Sequence, residues 1–191
     1  MEELLFSYLD TIGEFSEEEK SSMMELIQLR TFNKGQIVLK AGNKTEDSFL
    51  VIKGCLRSYY IVDGEEKTTE FFEEEDIITP VCIGDNSPSR YNIACLEDTV
   101  LLVSNPTLEA AGFSRFPQFE TLCRVLSERQ LGKKQQEFDS FKISNPEERY
   151  KKLLMDRPQL VQRVPQYQIA SYLGITPQSL SRLRTRIITQ K

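Results

Sequence analysis

The stretch IASYLGITPQSLSRLRTRI, Ile169–Ile187, decides how the C-terminal part of this chain is read. Ile169, Ala170 and Leu173 recur at the spacing of one helical face, and Gly174 follows as a residue that accepts a left-handed turn. Thr176 then supplies an N-cap, and Pro177 fits the first helical turn, where its missing amide is not needed. Ile175, Leu180, Leu183 and Ile187 form a second apolar face. The other side carries Gln178, Ser179, Ser181, Arg182, Arg184, Thr185 and Arg186, mostly donors suited to phosphates and base edges. Two helices joined by a short Gly-containing turn make the helix-turn-helix arrangement, although a plain amphipathic hairpin shares its periodicity.

Charge separates this end from the rest of the chain. Residues 142–191 hold 10 Lys+Arg against 3 Asp+Glu, a balance of +7, whereas residues 1–141 hold 14 against 26, a balance of −12. The overall −5 therefore conceals a basic module suited to a polyanion and an acidic one that repels it. Phosphate neutralisation falls to Arg184, Arg186, Lys191 and Arg163, and sequence choice to Gln178 and Arg182, one turn apart: Gln pairs with adenine and Arg with guanine. Upstream, NPEERYKKLLMDRP predicts a helix capped by Asn145 with Pro146 at its first position and Pro158 at its stop.

Between Thr31 and Val103 short apolar runs alternate with turn residues, the grammar of a small antiparallel barrel or sandwich. Asn33-Lys34-Gly35 and Ile52-Lys53-Gly54 mark turns, and Asp63-Gly64 is the strongest hairpin signal because both residues tolerate positive φ. Ahead of this region, Leu4, Leu5, Tyr8, Leu9 and Ile12 predict one helix, and Ser16 with Glu19 the capping box of a second. Behind it, Phe119, Leu122, Cys123, Leu126, Leu131 and Phe138 line one side of a longer helix, which either pairs with a copy of itself or lies across its own barrel.

Composition narrows the chemistry. The chain has no histidine, which removes His-based acid/base, nucleophile, zinc and haem systems. Cys55, Cys82, Cys95 and Cys123 lie far apart among apolar neighbours and read as buried free thiols. No run approaches the ~20 apolar residues of a membrane span, and the acidic N-terminus is unlike a secretion signal, so cytoplasmic residence is expected. No enzyme activity, metal or cofactor is expected.

With these motifs in hand, the chain resembles the Crp/Fnr superfamily of transcription regulators. FNKGQIVLKAG, FLVIKGCLRSYY and IACLEDTVLLV are similar to the family's effector module, and NPEERYKKLL with RVPQYQIASYLGITPQSLSRLRTRI to its DNA reader. The resemblance implies an α+β fold: an N-terminal antiparallel β-roll, a long connecting dimerisation helix and a C-terminal winged helix-turn-helix. The corresponding domains are residues 1–115, 116–141 and 142–191. It further implies a homodimer on double-stranded DNA, an RNA polymerase contact and a small-molecule effector. By position, Gln178 and Arg182 read bases, and Thr176, Ser179, Ser181, Arg184 and Arg186 contact phosphates or support the readers. Pro177 stands where the family commonly carries an Arg, and Gln178 where it often carries a Glu.

The effector region departs further. Cyclic-nucleotide binders carry Gly-Glu and, about ten residues later, an Arg beside Ser or Thr. Here Gly84-Asp85 offers a shorter carboxylate, the segment to Arg90 is too short, and the phosphate position falls on Ser89. Gly84, Asp85, Ser89 and Arg90 are the candidate effector pocket, with a ligand other than a cyclic nucleotide, or none. The acidic run Glu65, Glu66, Glu70, Glu73, Glu74, Glu75 and Asp76 reads as a solvated face or a polymerase contact. The competing reading of the whole chain is a ligand-responsive protein-interaction module that does not bind DNA.

Overall fold

The computed structural model describes Ser16 and residues 28–189, without the side chains of Gln118, Phe119, Leu122 and Ile188. The two N-terminal helices expected around Leu4–Ile12 and after Ser16 lie outside the described residues.

The N-terminal part consists of β1 (Gln28–Phe32), β2 (Ile37–Leu39), β3 (Ser48–Lys53), β4 (Leu56–Val62), β5 (Glu65–Phe72), β6 (Ile77–Ile78), a short helix α1 (Cys82–Asp85), β7 (Asn92–Cys95) and β8 (Thr99–Ser104). They form two four-stranded antiparallel sheets, in the orders β1-β8-β3-β6 and β2-β7-β4-β5. Along β8, Thr99, Leu101 and Val103 are buried and alternate with less buried neighbours, as a period-two pleat requires. Leu101, Val103, Phe49 and Val51 from one sheet meet Leu39, Leu56, Ile93 and Cys95 from the other in one core.

The turns follow their residues. Asp63 (φ 54°) and Gly64 (φ 81°) both take positive φ between β4 and β5, the two-residue hairpin geometry that this pair favours. Gly54 has φ 111°, and a Cβ there would stand 2.8 Å from the Thr99 Cα, so backbone and neighbour both demand glycine.

The C-terminal part is helical: α2 (Pro106–Arg115), α3 (Gln118–Ile143), α4 (Pro146–Asp156), α5 (Pro158–Arg163), α6 (Gln166–Leu173) and α7 (Pro177–Thr189). Asn145 caps α4 in a full capping box with Glu148, and Gly132 does not interrupt α3. Pro158 stands at the stop expected of it and has a second role. It follows the end of α4 but also opens α5, because a residue without an amide suits a first helical position as well as a stop. Among the described residues no strand follows β8, so the strands of a wing are not among them.

The long helix uses two faces. Gln130 Nε2 donates to the Ile77 carbonyl at 2.7 Å, and Lys134 and Lys133 pair with Glu70 and Asp76 at 2.5 and 3.3 Å, tying one side of α3 to the β module. Leu131 and Phe138, one heptad apart on the adjoining side beyond Lys134, stand exposed at 72% and 57%.

A second core joins the two ends of the chain. Cys55 and Phe71 reach out of the sheet into a cluster with Tyr150, Leu153, Leu160, Ile169, Leu173 and Leu180. Leu56 to Tyr59 are buried without alternation, with Arg57 lying 4.1 Å over the Tyr59 ring and donating to the Thr68 hydroxyl at 3.1 Å. Phe71→Ala should lower the unfolding free energy by about 3–5 kcal/mol, whereas Ile61→Ala at the exposed hairpin should change it by less than ~0.5 kcal/mol. Urea denaturation of both variants measures the difference.

Candidate nucleic-acid interface

The two terminal helices owe their geometry to local devices. Gly174 ends α6 at φ 71° and its amide bonds back to the Ala170 and Ser171 carbonyls. Two residues later the Thr176 hydroxyl accepts the Ser179 amide at 3.1 Å and so caps α7. Ala170 is fully buried, and its single methyl lets the two helices approach. Ile169, Leu173, Leu180 and Leu183 hold them together from beneath.

On the outside, Gln178, Ser179, Ser181, Arg182, Arg184, Thr185 and Arg186 are all exposed. Gln178 and Arg182, four residues apart, lie on the same helical side. The Thr176 hydroxyl donates to the Ser179 hydroxyl at 3.0 Å, so both side chains are engaged in building the helix start. Arg186 pairs with Glu147 of α4 at a site that remains open to solvent. Lys191 lies outside the described residues.

Arg163 does not join this surface, contrary to its expected share in phosphate neutralisation. Its guanidinium bonds to Glu74 at 2.8 Å and to Glu97 at 2.5 Å. Arg157 likewise bonds to Glu73 at 2.7 Å and donates to the Phe71 carbonyl at 3.0 Å, with Asp76 3.6 Å away. The acidic run is therefore not simply a solvated face: Glu70, Glu73, Glu74 and Asp76 receive the cations of the helical part and of α3. The signal was present in the opposed regional charges, but the partners lie 84 and 89 residues apart.

Helix α6 also closes the edge of its sheet. β5 is the last strand in its sheet, and the Ser171 hydroxyl accepts the Thr68 amide at 3.0 Å while donating to the Glu66 carbonyl at 3.2 Å. Beside it the rings of Tyr172 and Phe71 meet at 5.2 Å.

The candidate effector residues do not converge on a common point by their contacts. Ser89 is buried, and its hydroxyl donates to the Tyr91 carbonyl at 2.7 Å. Asp85 accepts the Ser87 amide at 3.0 Å on the surface, and Gly84 and Arg90 are exposed. Inside, the rings of Tyr60 and Tyr91 lie 5.4 Å apart, and the Tyr91 hydroxyl accepts the Val81 amide.

Of the cysteines, Cys55, Cys82 and Cys95 are buried free thiols, but Cys123 is exposed on α3. The reading of all four as buried fails there because α3 leaves that side uncovered. Burial pushes the Cys55 thiol up to about 12. Among the described residues, no group of three acidic or cysteine side chains is placed to hold a metal. No helix among them is long and apolar enough to cross a membrane.

Residues 29–107 match the family model of the cyclic nucleotide-binding domain. Solved structures match over most of the chain. One is a variant of CooA from Carboxydothermus hydrogenoformans, 22% identical over 92% of this chain and 82% of that one, with a TM-score of 0.68. FixK2 from Bradyrhizobium japonicum is 19% identical over 86% and 85%, with a TM-score of 0.68. The regulator CLP from Xanthomonas campestris is 12% identical over 89% and 90%, again at 0.68. The chain has the fold of a Crp/Fnr-type regulator. A comparison with curated proteins finds no match. Within the Crp/Fnr fold, α6 and α7 are the C-terminal helix pair and β1 to β8 belong to the cyclic-nucleotide-binding-like part.

The Glu74 carboxylate that binds Arg163 makes its docking sensitive to acid. Burial pushes the Glu74 carboxyl up, but hydrogen bonds from Arg163 and the Gly54 amide outweigh this and hold it below its ordinary value. A carboxylate depressed in the folded state contributes stability above its unfolded pKa and loses it as pH falls. Glu70 acts in the opposite sense, since burial raises it more than Lys134 lowers it. The urea midpoint of Arg163→Gln should accordingly fall less between neutral pH and about pH 4 than that of the unsubstituted protein. Equal changes would show that Glu74 and Arg163 are not linked to folding.

Proposed function

We propose that this protein is a sequence-specific DNA-binding transcription regulator of the Crp/Fnr type, acting as a homodimer. The observation that carries the reading is α7: a capped helix fixed from below by Leu180 and Leu183, with Gln178, Arg182 and Arg184 presented to solvent. Such a helix enters the major groove with its N-terminal half toward the bases. Gln178 and Arg182 read base edges; Arg184 and Arg186 contact phosphates, with Ser181 alongside. Thr176 and Ser179 shape the start of the helix, and the Ser179 amide and hydroxyl stand beside the DNA path.

The division of labour follows the chain. Residues 1–115 sense, as the roll that the two sheets suggest; 116–141 connect and dimerise; 142–191 form the winged helix-turn-helix reader. Dimerisation is supported by the exposed apolar side of α3, where Leu131 and Phe138 stand in solvent one heptad apart. Two copies joined there would present two α7 helices to successive grooves of a palindromic site. The regulator responds to an effector other than a cyclic nucleotide, or to none, because the Glu and Arg of the usual cassette are replaced here by Asp85 and Ser89.

Selection of bound duplexes from genomic fragments tests the reading and defines the site. On the selected duplex, Arg182→Ala should lose about 1–3 kcal/mol of discrimination at one base pair in each half-site. Arg184→Ala should weaken all duplexes alike and make the salt dependence shallower by about 0.9 for each phosphate no longer neutralised. Binding by the unsubstituted protein with neither sequence preference nor salt dependence would overturn the proposal in favour of a protein-interaction module.

The dimer has its own measurement. Leu131→Glu combined with Phe138→Glu should convert the sedimenting species from dimer to monomer with little loss of fold, since both side chains are exposed within one chain. An unchanged dimer would place the interface elsewhere.

A further inference from the structure

We infer that the cleft at the junction of α3, α4 and the acidic segment after β5 is a binding site for a small anionic ligand with a flat apolar body. The cleft measures about 460 Å³, within the ~300–1,000 Å³ of ordinary small-molecule sites. Phe141, Leu153, Tyr172 and Leu173 supply its apolar lining, Ser140 and Gln136 its neutral polar groups, and five carboxylates with Lys133, Arg149, Lys152 and Arg157 its charged ones.

The charges around the cleft decide the sign of the ligand. Its carboxylates already have cations: Glu73 and Asp76 face Arg157, Glu74 faces Arg163, Glu137 faces Lys134 and Asp156 faces Lys152. Arg149 is different. Its guanidinium lies 4.2 Å over the Phe141 ring and Nη1 donates to the Phe141 carbonyl at 3.3 Å, but no carboxylate pairs with it among the described residues. The Nε is buried and has no hydrogen-bond partner there. A guanidinium that no carboxylate neutralises, at the wall of a cleft, is the group whose fork matches a phosphate or carboxylate. A flat body on the same ligand would cover Phe141 and Leu153.

The position gives such a ligand a consequence. α3 ends at Ile143 and α4 begins at Pro146, and Arg149 spans this break through its bond to Phe141. An anion held by Arg149 would fix the angle between the long helix and the helical part that carries α7. That regulatory step rests on the proposed DNA-binding function; the site itself does not.

Titration of the full-length protein with anilinonaphthalene sulfonate, an aromatic anion, tests the site by fluorescence. One site per chain is expected, weakened at least ~10-fold by Arg149→Gln, which removes a charge-assisted bond, and lost in Ser140→Phe, which fills the cleft. Circular dichroism establishes that each variant is folded, and Ser140→Phe keeps the test valid where Arg149→Gln is not. Ile61→Ser with Val62→Ser, at the exposed hairpin, should leave the titration unchanged. Displacement by aromatic carboxylates or by nucleoside monophosphates supports the site and identifies its head group; displacement by neither overturns it. Unchanged binding in both cleft variants, or loss of binding in the hairpin variant, also overturns it. Because the readout is independent of DNA, failure here leaves the DNA-binding proposal standing, and failure to bind DNA leaves this site standing.

Discussion

The arrangement of the molecule depends on how the first helix of the terminal pair meets the edge of β5. Three different interactions coincide there. Phe71 leaves its own sheet and is buried against Tyr172, the Ser171 hydroxyl satisfies an amide and a carbonyl of the open edge, and Arg157 reaches the carbonyl of Phe71 itself. The apolar part supplies the larger favourable energy, since a buried phenylalanine removes a large area from water. The ion pairs do less for stability, because the partly buried guanidinium groups give up hydration before they gain carboxylates. What they add is orientation: a guanidinium held by Glu73 on one side and the Phe71 carbonyl on another accepts few alternative dockings.

This division explains which features were legible in the sequence. The Asp63-Gly64 hairpin, the Asn145 capping box, the Gly174 turn and the Thr176 cap each act on a backbone within a few residues, so a short window contains both cause and effect. The burial of Leu180 and Leu183 followed equally well, because a helical period reports a face directly. The fate of the acidic run did not follow. Glu73 and Glu74 look identical to solvated carboxylates until Arg157 and Arg163 are brought to them by a topology that no local window contains. Arg163 is misassigned from sequence for the same reason, since a surface arginine that meets phosphate and one that meets carboxylate share every local property.

The α3 helix shows a related ambiguity resolved by geometry. Pairing with another copy and lying on its own barrel are competing uses of one helix in the sequence. In the structure Gln130, Lys133 and Lys134 face the β module through hydrogen bonds and ion pairs, while Leu131 and Phe138 are left in solvent. The two uses fall on adjoining sides of the same cylinder, with Lys134 three and four residues from Leu131 and Phe138 at their boundary. The polar side fixes the helix to its own β sheets, and the apolar side is the one that would gain from a partner.

The docking also changes what the charge of the terminal module means. A balance of +7 suggests a broadly attractive surface, and broad attraction favours any duplex equally. Within the fold, however, Arg157 and Arg163 are occupied by the acidic segment, Lys151 by Glu147 and Lys152 by Asp156. Arg182 and Arg184 stand exposed on α7. Positive charge is thereby removed from the flanks of the module and kept exposed on α7. Under the proposed DNA-binding function, such a distribution would weaken attraction to arbitrary DNA more than attraction to a correctly fitted groove, because only the fitted groove would bring Gln178 and Arg182 to base acceptors. The acidic sheet edge is thus both the mechanical seat of the C-terminal helices and a means of concentrating their exposed charge on α7.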